Sequence, residues 1–264
     1  MTVELAYRIV DVFTTRPLAG NALCVVLDPC PDPLQQALAR EVNLSETTFP
    51  VVTGASSYDV RIFTPRSELP FAGHPSIGTA WTLGPATWTQ TTPGATVVVE
   101  ADATGAVMSQ PDPVFVPLDP ALAAAAAGLP GAEAVAAASA GGLRHVVVAT
   151  EAPIEAAVPD LGAVEAICRA ARAATFCLVR RLDDRTLHVR VFAPGEGIAE
   201  DPGTGSAAGP IAVLARRQWG TGTDVTVLQG AEIGRPCRIE VHAEDGAVRV
   251  GGRVTTCAEG RFTL

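Results

Sequence analysis

The sequence contains no lysine: all 19 of its basic residues are arginine, set against 28 acidic ones for a formal net charge of −9. Without an ε-amine there can be no pyridoxal-phosphate aldimine, no Schiff-base aldolase and no lysine-bearing phosphate loop. The acidic balance and the lack of a basic stripe exclude nucleic acid as an expected partner, because counterion release needs a concentrated basic surface. Long apolar runs are missing too. The alanine-rich segment Ala121–Ala127 is interrupted by Gly128 and Pro130, well short of the roughly 20 residues that cross a bilayer, so no membrane partner is expected. The N-terminus has no basic, apolar signal pattern, and the expected location is the cytoplasm. Cys24, Cys30, Cys168, Cys177, Cys237 and Cys257 form no CxxC pair, which points to reduced core residues. His145, His188 and His242 sit in apolar strand patterns without metal-ligand spacing. No Gly-x-Ser-x-Gly elbow is present, and GTGSAAG lacks the upstream strand of a dinucleotide fingerprint. No cofactor and no metal are expected.

What is present is a chain of 264 residues, 48% hydrophobic and 18% charged, long enough for one large compact domain or two of ordinary size. Alternation predicts strands over 8–13 and 23–27. A helix should begin at Pro33 and end near Glu41-Val42-Asn43, followed by a loop carrying Ser45 and Glu46. Further strands are predicted over 58–63, 96–100, 145–149, 187–192, 225–228, 238–242 and 247–250, with helices after Pro75, Ala121, Leu161 and Ser206. Short strands outnumbering helices favour an α+β fold with sheet wrapped on a helix over a parallel doubly wound sheet.

An internal repeat gives this outline a shape. Val60-Arg61-Ile62-Phe63-Thr64-Pro65 returns as Val189-Arg190-Val191-Phe192-Ala193-Pro194. Each copy is followed by an acidic, glycine-containing loop and then a run of small residues suited to a buried helix, which places Gly78 opposite Gly209. Two pseudo-symmetric halves are expected, 1–115 and 116–264. The linker would fall at Gln110-Pro111-Asp112-Pro113, and a return of the last strand to the first half stays open. Related halves would set their corresponding loops across a cleft, the natural place for a site.

The loops AGHPSIG and DPGTGSAAG put glycines just before a predicted helix. The first N–H groups of a helix lack intrahelical partners and can hold a carboxylate without a basic side chain. The plainer alternative is that the glycines only permit tight turns and close packing. The two loops each carry a titratable residue, His74 and Asp201, and that pairing favours function. Glu46 lies in NLSETTF, where a helix-capping role with Ser45 competes evenly with catalysis.

DVFTTRPLAGNALCVV, NLSETTF, RIFTPRSELPFAGHPSIGTA, EDPGTGSAAGP and VLQGAEIGRP together resemble the phenazine-biosynthesis isomerase family, within the diaminopimelate-epimerase-like fold. The resemblance covers nearly the whole chain and is thin from about Leu118 to Ala140. It implies two halves, each a sheet wrapped around a central helix, with the active site in the cleft between them. It also implies a homodimer and catalysis without a cofactor. Matched onto the family's motifs, Glu46 is the acid/base residue, His74 and Asp201 are its catalytic partners, and Ser45, Gly73, Gly205 and Ser206 bind substrate. The founding reaction of the family moves a proton across trans-2,3-dihydro-3-hydroxyanthranilate, so a small anionic amino-acid-like substrate is expected. An isomerase of 4-alkyl-proline precursors, an amino-acid epimerase and a non-catalytic metabolite-binding protein are the alternatives. The related racemases use one cysteine in each repeat-related loop, and neither loop here has one, which disfavours two-base inversion.

Overall fold

The computed structural model describes residues 3–140 and 142–264. In chain order the elements begin with β1 (Glu4–Val12), β2 (Asn21–Val26), α1 (Asp32–Val42), β3 (Glu46–Gly54), β4 (Ser57–Phe63), β5 (Glu68–Leu69), α2 (Gly73–Leu83), β6 (Ala86–Thr91), β7 (Thr96–Ala101) and β8 (Gly105–Gln110). There follow β9 (Val114–Pro117), α3 (Pro120–Ala127), β10 (Ala134–Ala140), β11 (Leu143–Ala149), α4 (Leu161–Ala171), β12 (Thr175–Asp183) and β13 (Thr186–Ala193). The chain then runs through β14 (Ile198–Asp201), α5 (Gly205–Trp219), β15 (Asp224–Gln229), β16 (Cys237–Glu244) and β17 (Ala247–Thr263). The α+β class holds. Among the described residues no helix is long and apolar enough to cross a membrane.

Two compact units divide the chain: Met1–Ser109 with Gly251–Leu264, and Gln110–Val250. The sequence reading put a boundary near residue 115. The division falls earlier because β8 ends at the Pro111-Asp112-Pro113 segment and β9 already pairs with β10.

In the first unit the strands close on themselves. Antiparallel pairs β1–β2, β3–β4, β6–β7 and β7–β8 alternate with parallel pairs β2–β3 and β4–β6. β17 pairs with both β8 and β1, completing the ring. The parallel pairs need helical crossovers, which α1 and α2 supply. α1 covers one face, where Leu38 and Ala39 pack with Leu5, Cys24, Phe49 and Phe63. α2 fills the other, buried from Gly73 to Ala80. Strand β2 lies between them, and its apolar run is continuous because both its faces are covered. A Cβ on Gly78 would come within 2.7 Å of Leu23 and 2.8 Å of Val12, so glycine is what lets α2 approach the sheet.

In the second unit β9, β10 and β11 run antiparallel, β11–β12 and β13–β15 are parallel, and β12–β13, β13–β14 and β15–β16 are antiparallel. α3 and α4 share a core with β10 to β13 through Val135, Val146, Phe176, Leu178 and Phe192, while α5 packs on β10, β11, β12 and β16.

Several sequence expectations are corrected. Glu46 opens a strand and does not sit in a loop, and no helix follows Ser45 for it to cap. The Gly73-His74-Pro75 segment is the first turn of α2, and Gly205-Ser206 the first turn of α5, so both helices start earlier than predicted. Pro75 falls within the first turn, where its missing N–H costs no bond. The predicted strand 247–250 is only the start of the 17-residue β17.

Candidate active site

The first unit brings two of the expected residues together. α1 ends with Asn43 in the left-handed conformation, its N–H on the Ala39 carbonyl. Two bend residues, Leu44 and the half-buried Ser45, lead into β3, which pairs in parallel with β2 so that Glu46 stands beside Leu23. Side chains alternate along a strand. Phe49 points into the core under α1, so Glu46 and Thr48 point the other way, toward α2. Thr48 meets Thr79 of α2, Oγ1 to Oγ1, at 2.9 Å. Glu46 Oε2 lies 3.3 Å from His74 Nε2, with the two side chains 10% and 4% exposed. The contact lacks the alignment of a hydrogen bond.

Burial governs the imidazole. It disfavours the charged form and pulls the His74 pKa down from 6.5 to about 3, with a partial offset from the Ala22 backbone. His74 is therefore neutral at physiological pH and can offer one donor and one acceptor. Asn21 Nδ2 sits 3.2 Å from its Nδ1. The first turn of α2 is itself pinned from below by wholly buried groups. Tyr58 donates to Gln90 Oε1 at 2.7 Å, Gln90 Nε2 to Ser76 Oγ at 2.7 Å, and Ser76 Oγ to the Ala72 carbonyl at 2.7 Å. No side chain caps that helix N-terminus, where Gly73 is the first residue.

The second unit carries the remaining candidates. Asp201 is the last residue of β14 and is 7% exposed. Its Oδ2 accepts a hydrogen bond from the Thr204 hydroxyl. Gly205 and Ser206 open α5, again with no side-chain cap. The interior proline of that helix, Pro210, removes the N–H that would serve the Ser206 carbonyl. Gln110 Nε2 substitutes for it, lying 3.3 Å from both the Gly205 and the Ser206 carbonyls.

Sequence reasoning passed over Asn21, Gln110, Thr204 and Gln229. Their signal was available: each glutamine ends an apolar strand pattern, and a buried amide must find partners. The cavities of about 580 and 510 Å³ lie elsewhere, the first against Arg144 and Arg172, the second against Phe49 and Asp32, and neither is lined by Glu46, His74 or Asp201. Among the described residues no group of histidine, cysteine and carboxylate side chains is arranged to hold a metal ion. His188 pairs with Glu232 at 2.7 Å and His242 with Asp224 at 2.8 Å, while His145 contacts Thr175 at 2.8 Å.

Comparison with known proteins decides the family. The profile described as "Phenazine biosynthesis-like protein" matches residues 10–260. The chain belongs to that family. It is 39% identical over 282 residues to a trans-2,3-dihydro-3-hydroxyanthranilate isomerase of Pseudomonas aeruginosa, covering 98% of this chain and 99% of that one. The corresponding isomerase of Pseudomonas fluorescens is 37% identical at the same coverage. Among solved structures, a predicted epimerase from Pseudomonas aeruginosa superposes with a TM-score of 0.83 at 31% identity, covering 98% of this chain and 99% of that one. A phenazine-biosynthesis family protein from Bacillus anthracis reaches a TM-score of 0.85 at 21% identity over 99% and 100% of the two chains. A probable proline racemase from Agrobacterium radiobacter, at 14% identity and a TM-score of 0.68 over 98% and 93%, shares the fold.

Proposed function

We propose that this chain is an isomerase that moves a proton between two carbons of trans-2,3-dihydro-3-hydroxyanthranilate or a close analogue, using Glu46 as the proton carrier. The observation that carries the reading is the Glu46–His74 pair: a withdrawn carboxylate 3.3 Å from an imidazole that burial keeps neutral. It occurs in a chain 39% identical, end to end, to an isomerase of that substrate. In the proposed step a C–H bond of the conjugated substrate breaks, its proton passes to the Glu46 carboxylate, and the double bond shifts. The same proton then forms a new C–H bond at another carbon on the same face, with no net oxidation or reduction.

By family analogy His74 and Asp201 are given the roles of orienting the substrate's amine and hydroxyl and of assisting tautomerisation. The uncapped amides of Gly205 and Ser206 hold the carboxylate at the positive end of α5, and Ser45 and Gly73 complete the binding surface. Neither metal nor organic cofactor takes part, and a homodimer is the expected assembly by family analogy.

The reading also takes the two units as diverged copies of one ancestor. In each, a parallel pair joined by a helix is followed by an antiparallel hairpin, a short strand, a second helix and another parallel strand. Arg61 grips Glu68 through two bonds of 2.8 Å and lies over Phe63. Arg190 does the same with Glu200, at 2.9 and 2.8 Å, and lies over Phe192.

A panel assay tests the proposal. After exhaustive chelation and dialysis, the protein should convert the dihydrohydroxyanthranilate with a change in ultraviolet absorbance and leave diaminopimelate and an unsaturated 4-alkyl-proline precursor unchanged. Conversion of the proline precursor alone would move the substrate assignment. A requirement for an added divalent ion, or no turnover of any of the three, would contradict the proposal.

A further inference from the structure

Asp201 is held by two residues with no assigned role. Gln229, at the end of β15 and 2% exposed, uses both ends of its amide on the segment that leads into α5. Its Oε1 accepts from the Thr204 backbone N–H at 3.1 Å, and its Nε2 donates to the Asp201 carbonyl at 2.8 Å and to Thr204 Oγ1 at 3.0 Å. The orientation of this amide is therefore fixed. Turning it over would set its NH₂ against the Thr204 N–H and its oxygen against the Asp201 carbonyl.

The Thr204 hydroxyl has a single hydrogen. Its oxygen already accepts from Gln229, so that hydrogen is directed to Asp201 Oδ2. Such a bond to an ionised carboxylate is stronger than one between neutral groups, and burial enhances it.

We propose that Thr204 and Gln229 are positioning residues for the isomerisation, forming a relay in which Gln229 aims the Thr204 hydroxyl and Thr204 fixes the Asp201 carboxyl in the rotamer that meets the substrate. The proposal rests on the reading that Asp201 acts on substrate. It adds that the carboxyl's orientation is set by a hydroxyl, and not by the packing of the loop alone. Thr204 supplies that hydroxyl from the residue preceding α5, where it does not cap the helix.

The test is a set of kinetic cycles on the full chain. Thr204→Val keeps the shape and removes the hydroxyl, and it should lower kcat about tenfold or more, the loss that corresponds to one hydrogen bond to a charged group. KM should change little. Thr204→Ser restores the hydroxyl and should stay within about twofold of the wild type, judged on the same scale. In the Asp201→Asn background, Thr204→Val should cost nothing further, because the residue it acts through is already changed. Gln229→Met, which keeps length and loses both amide ends, should follow the same pattern and serves if Thr204→Val fails to fold. Equal losses in Thr204→Val and Thr204→Ser, or losses that multiply with Asp201→Asn, would overturn the relay in favour of packing. Full activity in Asp201→Asn would instead remove the reading of Asp201 on which the relay stands.

Discussion

At the scale of single residues, burial decides protonation. His74 and His145 are both held well below the usual 6.5, to about 3 and about 4, because the interior disfavours an imidazolium. A group with a depressed folded pKa stabilises the fold above its unfolded pKa and loses that contribution as pH falls. Here the window runs from 6.5 downward through 4 and toward 3. Below 6.5 the unfolded chain takes up protons that the folded chain refuses, at up to about 1.4 kcal/mol per pH unit for each group. The urea midpoint should therefore decline between pH 6.5 and 4, and His145→Gln should make that decline shallower. An unchanged slope in the variant would show that His145 is not the refused site. Burial acts on thiols in the opposite sense: Cys24 and Cys177 are pushed up to about 12 and Cys168 to about 11. None of the three can serve as a thiolate base near neutrality. The starts of α2 and α5 carry no cysteine either.

At the scale of elements, α5 shows how a local irregularity is corrected by a neighbour. Gln110 serves the Ser206 carbonyl that Pro210 leaves without its helical donor, and Gly209 leaves space for it. A Cβ there would come within 2.1 Å of Gln110 Oε1 and 2.8 Å of Val248. Gly209→Ala should destabilise by about 1–3 kcal/mol through overpacking. Gly195→Ala, where a Cβ meets nothing within 4 Å, should change little. Equal urea midpoints for the two variants would contradict the packing account. The sequence exposed Gly209 through its register with Gly78, but not its partner: Gln110 lies 99 residues upstream, next to two prolines that draw attention to a linker. The same limit applies at Glu46. The polar string SETT hides the start of a strand whose inner face is polar only because it meets Thr79 and His74. Elements with one apolar face were legible, as with α1 and its Pro33 start. Elements defined by tertiary partners, such as β3 and the long β17, were not.

At the scale of the molecule, β17 gives the first unit its closure. Its register runs from Glu4↔Thr263 to Val12↔Val254, and it also pairs with β8. Removing residues 251–264 would take away every β17 partner of β1 and leave that edge of β1 unpaired. Thermal unfolding of the truncated chain should lose its cooperativity, and a melt as sharp as that of the full chain would mean the ring does not need this strand.

The central claim is that Glu46 carries the proton, and one measurement addresses it directly: turnover of trans-2,3-dihydro-3-hydroxyanthranilate by Glu46→Gln beside the wild type, with binding measured on the same preparation. Glutamine keeps the shape and much of the hydrogen bonding but cannot take and return a proton. The variant should bind the substrate and turn it over at least about a hundredfold more slowly, the lower end of what positioned acid–base catalysis contributes. Turnover at the wild-type rate would contradict the account and return the role of proton carrier to His74, Asp201 or another group.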